Sequence, residues 1–206
     1  MKEDGIYSEL SSIRSLMERS SKFISLSGLS GVMAGVYALG GAFFAQRLLR
    51  SQESRLDTSN EYSLNAGIVP QLTLIAIVVL FLSITTCLIL TLRQSRKKGE
   101  PSWHPGSKRL LTNLAIPLLT GGIFTTILLL RGEYSLIIPA CLIFYGLALV
   151  SGSHYTFSDV KWLGLFEILL GLICAFIPGY GLMFWTIGFG ILHIFYGFIM
   201  HFKYKQ

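Results

Sequence analysis

VKWLGLFEILLGLICAFIPGYGLMFWTIGFGILHIFYGFIMHF, residues 160–202, decides the fold: two apolar runs joined by Pro178, Gly179, Tyr180 and Gly181, with Glu167 and His193 well inside them and His201 near the end. A helix crossing a bilayer needs ~20 mostly apolar residues, because the hydrocarbon core is ~30 Å thick and its own backbone must satisfy every polar group. Both runs are close to that length. Pro178 ends the first and the glycines permit a tight reversal.

Working outward toward the N-terminus, four further runs of the same character are found, so the spans are expected at 23–45, 68–92, 110–130, 134–150, 160–177 and 181–202. Arg131, Gly132 and Glu133 form a second tight turn, between the third and fourth runs. Over its 206 residues the chain is 52% hydrophobic and only 14% charged, well short of the roughly 25% charged residues of soluble domains. The pattern implies an all-α polytopic membrane bundle of six transmembrane helices in three hairpins, with residues 23–206 as the transmembrane domain. The lipid bilayer is its principal partner, and the short loops suit a bacterial cytoplasmic membrane. The first run is longer than the ~7 to 15 residues of a signal-peptide core and should remain as a span.

Cytoplasmic loops are enriched in Lys and Arg. With the N-terminus inside, thirteen basic residues fall on the cytoplasmic side, Arg93, Arg96, Lys97, Lys98, Lys108 and Arg109 among them, and only Arg47, Arg50, Arg55 and Arg131 fall outside. Both termini are therefore expected in the cytoplasm. The net charge of +6 reflects these short flanking clusters, not a patch or stripe of the kind that binds nucleic acid. Residues 46–67 are polar and read as an external loop. In residues 1–22, Ile6, Leu10, Ile13 and Met17 recur at helical spacing with charges on the other faces, which predicts an amphipathic cytoplasmic helix. It would lie on the membrane or under the bundle, or else bind a partner protein or a second copy of the chain.

An ionisable residue inside a span is costly and marks a functional candidate. Glu167 and His193 are equidistant from the turn at about residue 180, so antiparallel helices of equal rise should bring them together. Gly164 and Gly171 share the face of Glu167, and Gly190 and Gly197 share that of His193. Small residues allow close helix approach, so these four glycines are expected to form one packing seam between the last two helices, Gly164 opposite Gly197 and Gly171 opposite Gly190. The buried pair would either fix helix register or carry a proton-sensitive switch or proton pathway. Tyr196 and Tyr145 could donate hydrogen bonds into the bundle. Asn113 and Ser151, mirrored about the preceding turn, could form another polar link. Gly31 and Gly35 give helix 1 a G-x-x-x-G spacing, which permits close packing within one subunit or between two.

A weak internal echo spaces Gly121 from Phe144-Tyr145-Gly146 almost as Gly171 is spaced from Phe195-Tyr196-Gly197, which would make helices 3 and 4 a copy of helices 5 and 6. The stretch from Leu163 to Met200, with Gly171, the Ile177-Pro178-Gly179 turn and Gly188, resembles a hairpin unit of the HdeD-like acid-resistance proteins, short bacterial six-helix membrane proteins. The resemblance implies a stress-related membrane role without defined chemistry.

The histidines and cysteines lack metal or haem spacing, so no cofactor and no metal are expected. Nor does the sequence carry H-E-x-x-H, G-x-S-x-G, a phosphate loop or an intramembrane lysine, and Glu167 with His193 has no evident nucleophile. The expectation is a non-enzymatic membrane protein of stress-response, regulatory or scaffolding type, with a small proton-coupled transporter or channel as the alternative.

Overall fold

The computed structural model describes residues 28–53, 67–98 and 105–203. The segment 1–22 lies outside them, and so does most of the connection after the first helix. Six apolar helices follow in chain order: α1 (Gly28–Glu53), α2 (Val69–Lys98), α3 (Pro105–Leu130), α4 (Ile137–Gly152), α5 (Val160–Phe176) and α6 (Gly181–Lys203). Short 3₁₀ turns, Tyr134–Leu136 and Ser153–Tyr155, lead into and out of α4. No strand occurs among the described residues.

Five of the helices are long and apolar enough to cross a membrane, the character of a multi-pass membrane protein. α5, with 17 residues, is the one that falls short of that length. Two helices outrun their apolar segments. α1 continues to Glu53, because the Gln46–Arg50 stretch holds neither Gly nor Pro to stop it, so the expected external loop begins later than Gln46. There the Arg47 guanidinium lies 4.9 Å from the centre of the Phe43 ring, one turn back, and keeps a partner where the helix leaves the apolar region. α2 likewise runs through the basic cluster to Lys98.

The helices form two packed triads. α4 lies between α3 and α5, and α1 lies between α2 and α6. α5 and α6 are joined by a tight turn with Gly179 at φ +93°, yet their backbones come close mainly along the first half of α6, and beyond it they meet through side chains, with Val160 and Met200 in one apolar cluster. The last two helices therefore do not close on each other as a self-packed hairpin. Each finds its glycine-lined partner elsewhere. α2 and α3 present Leu80, Phe81, Leu119 and Ile123 outward, each more than half exposed, as lipid-facing helices do. The hydroxyls of Thr112, Thr120, Thr125 and Thr126 on α3 donate to carbonyls one turn back in their own helix.

Two apolar clusters sit at different depths along the inner helices. Leu142, Cys174 and Phe184 pack with Ile138, Leu170 and Phe189, and Phe157, Val160 and Met200 pack with Leu149 and Tyr196. The ionisable pair lies between them.

Candidate functional site: a sealed glutamate–histidine–tyrosine centre

Seven residues of α6, Thr186–Leu192, form a π-helical segment between α-helical stretches Gly181–Trp185 and His193–Lys203. A π turn holds one extra residue and displaces the regular carbonyl ladder, and such segments recur at functional sites. Within it the Gly188 carbonyl accepts a hydrogen bond of 3.0 Å from Nδ1 of His193. A carbonyl can only accept, so Nδ1 carries the hydrogen. In the neutral ring Nε2 is then an acceptor, and the Tyr145 hydroxyl donates to it from α4 at 2.8 Å.

Glu167 enters from α5. Its Oε1 lies 3.4 Å from His193 Nδ1, and its side chain is fully buried, at 0% exposure, beside a histidine at 5%. Among the described residues neither carboxyl oxygen has a hydrogen-bond partner. The nearest donor is thus one whose hydrogen is already directed at Gly188. Gly188 also makes room for the carboxyl group: a methyl carbon there would fall 2.6 Å from Glu167 Oε2 and 2.6 Å from Leu142 Cδ2. Only glycine leaves that space. Phe189 closes the side of the site, its ring centre 5.2 Å from Tyr145, 5.9 Å from His193 and 4.6 Å from Trp185.

Such a centre can hold a proton in two ways, as carboxylic acid beside neutral imidazole or as carboxylate beside imidazolium. Within electrostatic reach of Tyr145 are Glu167, Cys87 of α2 and Tyr196 of α6. Among the described residues no three of His, Cys, Asp and Glu converge on a point where a metal ion could sit.

The structure brings Glu167 and His193 together and adds Tyr145 as a direct partner. The four glycines fall differently from the single seam expected. Gly164 and Gly171 face α4, where added methyls would strike the carbonyls of Gly146 and Pro139 at 2.7 and 2.9 Å. Gly190 and Gly197 face α1, against Leu39 at 2.5 Å and the Gly28 carbonyl at 2.8 Å. A glycine stripe states that another helix comes close, without saying which. Gly31 and Gly35 of α1 belong to that second crossing, packed within the subunit against Gly197 and the Gly190 carbonyl. Asn113 donates its amide to the Arg109 carbonyl one turn back and is not joined to Ser151, since local back-bonding satisfies a polar side chain without a neighbour. Tyr196 packs beside the Phe157, Val160 and Met200 cluster.

The π segment, the Gly188 carbonyl and Phe189 were beyond sequence reasoning as site members. The one available signal was the density of Gly188 and Gly190 within Thr186–Leu192, where backbone is least constrained. Comparison of the chain with family models, with curated proteins and with solved structures finds no match.

Proposed function

We propose that this protein is a non-enzymatic, multi-pass protein of a bacterial cytoplasmic membrane, of regulatory or stress-response type, whose Glu167–His193–Tyr145 centre makes helix packing responsive to pH. Both termini lie in the cytoplasm in this reading, as the distribution of Lys and Arg favours. The observation that carries it is Glu167: a fully buried carboxyl group with no hydrogen-bond partner among the described residues, 3.4 Å from a histidine nitrogen committed elsewhere.

An unpaired carboxylate in an apolar interior is expensive, so the state of that proton is coupled to packing. Gaining or losing it changes which acceptor the Nδ1 hydrogen serves, Gly188 or Glu167. The first choice keeps the π segment as it stands. The second releases the Gly188 carbonyl and favours rearrangement of Thr186–Leu192.

Trp185 reports on this event, because its ring packs against Phe189, tilted by 52°, beside His193. In nanodiscs, with Trp103 and Trp162 replaced by Phe, Trp185 fluorescence should change sigmoidally between about pH 5 and 8, where a histidine centre titrates. The change should be absent in Glu167→Gln and in His193→Asn. A flat titration of the parent protein would overturn the reading.

A further inference from the structure

The two glycine crossings are the same crossing. A methyl carbon on Gly146 of α4 would fall 2.6 Å from the Gly164 carbonyl, 2.7 Å from Ile168 Cγ1 and 2.9 Å from Ile168 N. On Gly35 of α1 it would fall 2.6 Å from the Gly190 carbonyl, 2.6 Å from Ile194 Cγ1 and 2.9 Å from Ile194 N. One turn away Gly171 faces Pro139 and Ile143, as Gly197 faces Gly28 and Val32. The agreement extends to the outer helices, since Gly152 meets Leu110 and Leu114 of α3 while Gly41 meets Ile75 and Val79 of α2. A constant shift in numbering within each helix thus carries α3, α4 and α5 onto α2, α1 and α6.

The direction of this equivalence follows from contacts. Ile138 meets Gly181, Leu142 meets Gly188 and Tyr145 meets His193, so α4 and α6 run parallel. Gly28 meets His201 while Gly35 meets Gly190, so α1 and α6 run antiparallel. α1 is therefore antiparallel to its counterpart α4, and the triads are related by a pseudo-twofold axis lying across the helices. In a membrane this is an inverted pair. The order 3-4-5 against 2-1-6 is not that of a tandem copy, and the echo of helices 3 and 4 in helices 5 and 6 is not the relation the packing shows.

The shift that carries Gly164 onto Gly190 and Ile168 onto Ile194 carries Glu167 onto His193. Equivalent positions touch only on the axis itself, and these two are 3.4 Å apart. It also carries Cys174 onto Met200, one in each apolar cluster. Cys174 and Met200 each lie two helical turns from the centre, about 10 Å along the bundle. The centre thus sits between two apolar clusters.

We propose that this centre carries protons across the membrane, reached from one face and then the other as the inverted triads exchange packing roles. The proposal rests on the reading of Glu167 and His193 as a proton-holding pair. Inverted halves supply two arrangements of similar energy around one fixed site, which alternating access requires. The described arrangement is one of them, marked by two departures from symmetry: Tyr145 stands where α1 has Ala34, and the π segment stands where α5 is regular.

The proton step balances. A proton from water at one face bonds to Nε2 as the Tyr145 hydroxyl turns aside. The Nδ1–H bond then breaks, its electron pair staying on nitrogen, and the proton forms an O–H bond on Glu167 Oε1. Loss of that proton to water at the other face leaves a neutral ring protonated at Nε2, and a water-relayed shift of this proton from Nε2 to Nδ1, as the Tyr145 hydroxyl returns, restores the start. Tyr145 of α4, Tyr196 of α6 and Cys87 of α2 are the other titratable groups within reach.

The test is proton entry into proteoliposomes holding a pH-sensitive dye, driven by a potassium diffusion potential. The wild type should exceed protein-free vesicles, Glu167→Gln should fall to their level while eluting as the same folded species, and Glu167→Asp should restore part of the flux. Wild-type flux no greater than that of protein-free vesicles, or flux unchanged by Glu167→Gln, overturns the proposal. A pH-dependent Trp185 signal without flux overturns transport and leaves the pH-responsive reading intact. In a background without Cys87 and Cys141, an impermeant thiol reagent should reach Cys174 from one face, and a Met200→Cys thiol from the opposite face once Cys174 is also replaced. Labelling of both from the same face overturns alternating access.

Discussion

The α4–α5 and α1–α6 crossings share their backbone geometry to within a few tenths of an ångström at Gly146 and Gly35, yet only one brings a hydroxyl to the histidine. The comparison separates two demands on sequence. Close crossing requires glycine at particular steps of both helices, and both pairs supply it. Chemistry at the centre requires unlike partners, so Tyr145 and Ala34 differ at equivalent places.

The largest effect should come from filling the crossings. Gly146→Leu and Gly35→Leu each force a side chain against backbone that cannot move aside, and each should cost about 3 kcal/mol. Thermal unfolding in detergent, followed by circular dichroism, should lower Tm by similar amounts for both. A large loss at one position with none at the other would break the equivalence of the crossings.

Tyr145→Phe sharpens the difference between them. It removes the hydroxyl on His193 Nε2 and leaves a buried acceptor unmatched, at about 1 to 3 kcal/mol. The same melting experiment should place it below the glycine variants, and the pH titration of Trp185 should shift. Stability equal to the wild type with an unmoved titration would show that the asymmetry at the centre is incidental.

The smallest effects belong to the turns. Gly179 and Gly132 have φ of +93° and +77° with open space where a side chain would sit, so alanine meets only the cost of a left-handed backbone. Each replacement should lower stability by about 1 kcal/mol, measurable in the same melts. A loss as large as at Gly35 would mean that the turns, and not the crossings, organise the triads.

The helices and the contact of Glu167 with His193 were legible because both leave chemical marks. Spans must be apolar throughout, and a glutamate placed opposite a histidine in such a span is conspicuous. Helix partners leave no comparable mark. Gly164, Gly171, Gly190 and Gly197 signalled close approach, but nothing in α5 or α6 distinguishes a neighbour next in sequence from one far along the chain. The π segment is hidden for a related reason: Thr186–Leu192 is as apolar as its flanks, and its extra residue per turn shows only in hydrogen bonding. Tyr145 was visible as a candidate and its target was not, because that contact depends on how α4 lies beside α6.

The α1–α6 crossing joins the first and the last described helices, whereas α4 and α5 are neighbours in the chain. During synthesis the second pair can close as soon as both its members have entered the bilayer. Gly28, Gly31 and Gly35 must instead wait, facing lipid or α2, until Gly181–Lys203 has been made and inserted. The histidine that completes the centre arrives on that same helix, so assembly of half the scaffold and assembly of the site are a single event that waits on α6.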